Sequence, residues 1–62
     1  MEQIKEIEYD TPFELTKDEY YHLMAKCATF VAGQIKEGKH YLKIWFERGY
    51  VLDTLNKLRT QN

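Results

Sequence analysis

The sequence predicts a small α+β domain with its elements in the order β-α-β-β-α: a strand, a helix, a hairpin and a second helix. The helices are expected on one face of an antiparallel sheet. Three observations carry this reading. Residues 4–15 and 39–46 alternate apolar with polar, a helix-capping box falls between them, and the last segment repeats its apolar residues at helical spacing.

In the first segment Ile7, Tyr9, Phe13 and Leu15 share one parity, and Glu6, Glu8, Asp10 and Glu14 take the other. Pro12 interrupts the run, which marks an edge strand or a bend between two short extended pieces. Thr16-Lys17-Asp18-Glu19 then reads as a capping box, with Thr16 at the N-cap and Glu19 reaching back to its amide. Leu15 and Tyr20 are spaced to form the hydrophobic staple that accompanies it. At 100° per residue, Tyr20, Leu23, Met24, Cys27, Phe30 and Val31 make one apolar stripe, with His22, Lys26 and Thr29 away from its centre.

Gly33 is the expected end of this helix, although a continuation to Gly38 would keep Ile35 on the stripe. The earlier end is favoured because Ile35-Lys36-Glu37-Gly38-Lys39 reads as a hairpin, a type I turn closed by a left-handed Gly38. In the strand that follows, Leu42, Ile44 and Phe46 point one way, and Lys39, Tyr41, Lys43 and Trp45 the other. In the last segment Val51, Leu55 and Leu58 fit one helical face, and Asp53, Asn56, Lys57 and Thr60 the opposite one. No capping residue precedes Tyr50. A second hairpin turn at Glu47-Arg48-Gly49 is therefore the alternative to a helix.

Residues 1–62 are expected to form a single domain. A chain this short buries only about 60% of the surface exposed when unfolded, so extra stabilisation is expected from a disulfide, a metal or a partner. The one cysteine, Cys27, excludes an internal disulfide. His22, Cys27 and His40 lack the paired spacing of a zinc site. On a helix His22 and Cys27 point about 140° apart. No metal or cofactor is expected, which leaves self-association as a homo-oligomer, or a partner that completes the core, as the stabilising option. Ile44-Trp45-Phe46 is too short to span a bilayer, and Met1-Glu2-Gln3 lacks the pattern of a signal peptide. With a lone thiol, this points to the cytoplasm.

Catalysis is not expected. Cys27 lies in mid-stripe, where burial keeps a thiol inert. The acidic residues alternate as a solvated strand face does, and Gly33, Gly38 and Gly49 are scattered rather than gathered in a phosphate loop. Net charge is −1, divided into −4 over residues 1–31 and +3 over residues 32–62. That division favours pairing between the halves over general affinity for polyanions.

The strand face Lys39, Tyr41, Lys43, Trp45, extended by Arg48, carries the functional expectation. Aromatic residues rimmed by charge resemble the anchor-and-rim layout of a protein interface. The expected role is a non-catalytic protein-binding module, of the size of the small inhibitors or accessory proteins encoded by phage and mobile elements. The alternative is a nucleic-acid-binding regulator using Lys36, Lys39, Lys43 and Arg48 with Tyr41 and Trp45. Against that alternative, Glu6, Glu8 and Asp10 would neutralise the lysines if their strand lies alongside. A further alternative buries Trp45 beneath the last helix. A ridge of small residues, Ala25, Ala28, Thr29, Ala32 and Gly33, is a second candidate surface on the first helix.

Overall fold

The computed structural model describes residues 6–60. Ile4 and Lys5, where the first alternating run begins, and Met1, Glu2 and Gln3 lie outside the described residues. The elements are β1 (Phe13–Leu15), α1 (Lys17–Lys26), β2 (Val31–Lys36), β3 (Lys39–Ile44) and α2 (Arg48–Thr60). The order is the β-α-β-β-α of the sequence reading. All pairings are antiparallel, and the sheet runs β1-β3-β2.

The first strand is much shorter than the alternation of residues 4–15. Pro12 cannot donate to a ladder, and the backbone ahead of it turns at Tyr9 and at Asp10, whose φ is 56°. Past this bend only Phe13–Leu15 pairs with β3, although the Asp10 amide still donates to the Ile44 carbonyl at 3.0 Å. Ile7 is buried in the core without belonging to a strand.

The capping box forms as read. Thr16 Oγ1 accepts from the Glu19 amide at 3.2 Å, and Glu19 Oε1 accepts from the Thr16 amide at 3.0 Å. Leu15 and Tyr20, the staple pair, are both buried. The helix then stops at Lys26 with Cys27 as its C-cap, seven residues short of Gly33. The Phe30 amide donates to the Cys27 carbonyl, and Val31 already belongs to β2. Cys27, Phe30 and Val31 continue the helical stripe locally, but pairing Val31–Lys36 residue for residue with β3 overrides that local preference. The ridge of small residues is therefore divided among α1, a turn and β2.

The hairpin turn has two residues, Glu37 and Gly38, with φ of 53° and 77°. Both are left-handed, so the turn is type I′ rather than type I. This form matches the right-handed twist of the flanking strands.

On β3, Leu42 and Ile44 are sealed beneath the helices, as their parity predicts. Phe46 departs from it. The amides of Trp45 and Phe46 both donate to the Phe30 carbonyl, at 2.7 and 3.3 Å. Two residues thus oppose one, the alternation slips, and Phe46 ends up 64% exposed.

The last segment is a helix, not a second hairpin. Its missing cap comes from elsewhere in the chain: the Arg48 amide donates to the Tyr9 phenol oxygen at 3.2 Å. One such partner satisfies one of the amides that every helix start leaves open. Val51 and Leu55 pack into the core, and Asp53 pairs with Lys57 at 3.2 Å on the outer surface. At the far end Arg59 Nε donates to Glu19 Oε2 at 2.7 Å, joining the end of α2 to the start of α1. Each charge sits at the helix end whose dipole favours it. Burial alone would push the Glu19 carboxyl up. The hydrogen bonds from Arg59 and the Thr16 amide, with the guanidinium charge, outweigh it and hold the carboxyl below the usual carboxylate range.

Candidate functional site

Residues directly opposite in a sheet share a face. Leu42, Phe13 and Gly33 therefore face the helices, and Tyr41, Glu14 and Gln34 face away, as do Lys43 with Ala32 and Lys39 with Lys36. The open face is built from three strands, with Tyr41 at its centre. Gly33 leaves room on the helix side for the Tyr20 ring, two of whose carbons would lie 2.8 Å from a Cβ there.

The structure brings Tyr41, Lys43 and Trp45 together around a hollow of about 230 Å³ on the open face. Pro12, Ala32, Gly33, Gln34 and Leu42 complete its lining. Ala32 lies opposite Lys43, and its small side chain leaves the space between the longer ones. The volume is below the roughly 300–1,000 Å³ of small-molecule sites. Trp45 is 43% exposed and is not covered by α2. The Lys43 ammonium sits 5.8 Å from the indole centre and 3.8 Å from an Asp10 oxygen.

The cations divide into two groups. Lys43 lies near Asp10, as the reading of neutralising carboxylates expects, but Glu6 and Glu8 precede the bend outside any strand and make no ion pair among the described residues. Arg48, read as an extension of the basic edge, is taken up by the N-terminal segment. Its Nη1 donates to the Ile7 carbonyl at 3.1 Å, and its guanidinium lies 4.7 Å from the centre of the Tyr9 ring. Lys36 and Lys39 stand directly opposite each other beside the turn and are exposed. Neither makes an ion pair among the described residues.

Sequence reasoning missed Ala32, Gln34 and Pro12 as parts of this face. A signal for the first two was present. A two-residue turn at Glu37-Gly38 requires partners for all of Lys39–Ile44, and counting back from Lys36 places Ala32 and Gln34 on the face of Tyr41. A second aromatic group lies at the end of the sheet near the Phe30 carbonyl. Phe30 and Tyr50 stack edge to face with ring centres 5.9 Å apart, and Phe46 and Tyr50 are exposed.

The remaining reactive side chains lie elsewhere. Cys27 is sealed in the core, where burial pushes its thiol up against the opposing effect of a hydrogen bond with Thr54. His40 sits on the helix side, edge to face with Tyr20. Among the described residues no three His, Cys, Asp or Glu side chains are grouped to hold a metal ion, and no helix is long and apolar enough to cross a membrane.

The fold and this face define a small α+β domain with an aromatic hollow on a sheet face that no described helix covers. No family model, curated protein or solved structure matches the chain.

Proposed function

We propose that the domain is a non-catalytic protein-binding module that uses the open face of Lys39, Tyr41, Lys43 and Trp45. One observation carries the reading. The only tryptophan stands 43% exposed beside a hollow, while Leu42 and Ile44 on the same strand are sealed from water. A small domain needs its largest apolar side chain in the core, so leaving it at the surface sacrifices stability that partner binding would recover. The hollow would take one apolar side chain of the partner. Lys36 and Lys39 favour acidic residues beside it, since like charges directly opposite are destabilising until neutralised. A small inhibitor or accessory protein acting in the cytoplasm is a role that suits such a module.

Nucleic-acid binding is the weaker reading because two of its four proposed cations, Lys43 and Arg48, are already engaged within the chain. Counter-ion release requires cations that are free. The test is partner capture with wild-type protein and Trp45→Ala in parallel, alongside oligonucleotide titration at two salt concentrations. The reading expects a partner retained by wild type and lost by Trp45→Ala, with the unfolding free energy changed by about 1 kcal/mol, the worth of half-burying the indole. Unfolding of the variant would place Trp45 in the core. Steeply salt-dependent oligonucleotide binding would favour the rival.

A further inference from the structure

The two edges of the sheet are built differently. The β1 edge is three residues long, follows Pro12 and carries Glu14, all of which discourage strand addition. The β2 edge is six residues long, and Val31-Ala32-Gly33-Gln34-Ile35 contains neither a charge nor a proline. In a two-residue hairpin the closing pair, Lys36 and Lys39, is hydrogen-bonded, and bonding then alternates along the ladder. Lys36, Gln34 and Ala32 therefore bond β3, and the Phe30 carbonyl, which accepts from Trp45, continues the series. Val31, Gly33 and Ile35 turn their amides and carbonyls outward, and they make no hydrogen bond among the described residues. An open row of this kind is a template for another strand.

We propose that β2 pairs antiparallel with β2 of a second copy of this chain, about a two-fold axis at Gly33, forming a continuous six-stranded sheet. The register follows from the residues. Centred on Gly33, the pairing sets Gly33 opposite Gly33 of the second copy and Val31 opposite Ile35, so every outward group of both strands is bonded. It keeps the helix faces on one side of the joined sheet. Ile35, 52% exposed on the helix side of the single chain, gains Val31 of the second copy as its neighbour. Lys36 falls opposite Phe30, which keeps the two copies' Lys36 residues from meeting. A foreign strand would have to supply the same apolar match and the same absence of charge; a second copy carries both. The two aromatic hollows would then open on one side of the sheet, flanking the axis.

The register can be tested directly, because it places Ala32 opposite Gln34 of the second copy in a non-hydrogen-bonded pair. The Cα separation there is about 4.5 Å, within reach of a disulfide. Ala32→Cys and Gln34→Cys proteins, mixed and oxidised, should give a cross-linked dimer that neither forms alone. In sedimentation, wild type should show twice the monomer mass as concentration rises. Ile35→Lys, a change at an exposed position, should remain monomeric where wild type is dimeric, with an unaltered circular dichroism spectrum. A wild-type monomer at the highest attainable concentration would overturn the proposal. So would cross-linking of either cysteine variant with itself in preference to the mixture.

Discussion

Glu19 offers the most exacting test of how this fold is held. Its carboxylate accepts from the Thr16 amide and from Arg59 through Nε and Nη2, at 2.7 and 3.3 Å. The side chains of Glu19 and Arg59 are only 6% and 13% exposed. Glu19→Ala removes the reciprocal half of the capping box, worth about 1 kcal/mol. It also removes charge-assisted hydrogen bonds worth about 1.5–3 kcal/mol, for a total of about 2.5–4 kcal/mol. A domain of this length has a total stability of about 3–9 kcal/mol. At about 4–8 °C per kcal/mol, Tm should fall by about 10–30 °C, read by circular dichroism. In an Arg59→Met background the same change should cost little more than the cap. The pH dependence has a definite sign. The folded-state pKa of Glu19 is depressed, so its stabilisation is complete above the unfolded glutamate value and is lost as pH falls through the folded one. Glu19→Gln should therefore lose less stability on acidification than wild type. A Tm within about 2 °C of wild type for Glu19→Ala would refute the reasoning, as would identical acid limbs for wild type and Glu19→Gln.

Two further outcomes follow from burial. Phe46→Ser should change unfolding free energy by less than about 0.5 kcal/mol. Ile44→Ala, two residues earlier, should cost about 2–5 kcal/mol, and comparable losses in urea titrations would place Phe46 in the core. Cys27 should stay unmodified by a thiol-directed reagent in the native protein at neutral pH and react only at the rate of unfolding. Fast native-state labelling would contradict its burial and its raised pKa.

What the sequence discloses here depends on how far apart the interacting residues lie. The start of α1 was legible because Thr16 and Glu19 are three residues apart. The two faces of β3 were legible because they need only the alternation of Leu42 and Ile44 with Tyr41 and Lys43. The end of α1 was not, since residues 27–33 satisfy a helix until β3 is present to pair with Val31–Lys36. The exposure of Phe46 is not legible, because two amides sharing the Phe30 carbonyl leave no trace in the pattern of residue types. Nothing near Arg48 in the sequence sets it apart from the basic edge, since the carbonyl it binds is 41 residues away. The cap on α2 was hidden for the same reason, since Tyr9 supplies it from the other end of the chain.

That last arrangement bears on how the chain is made. Arg48 fastens to Ile7, and Arg59 fastens to Glu19, so α2 is clasped at both ends by residues translated first. While the ribosome is still adding residues 48–59, Val51 and Leu55 are missing from the core that α1 forms with the sheet. Residues 7 to 59 must therefore all be clear of the exit tunnel before both clasps can form, so closing this core is a late step of the domain's synthesis.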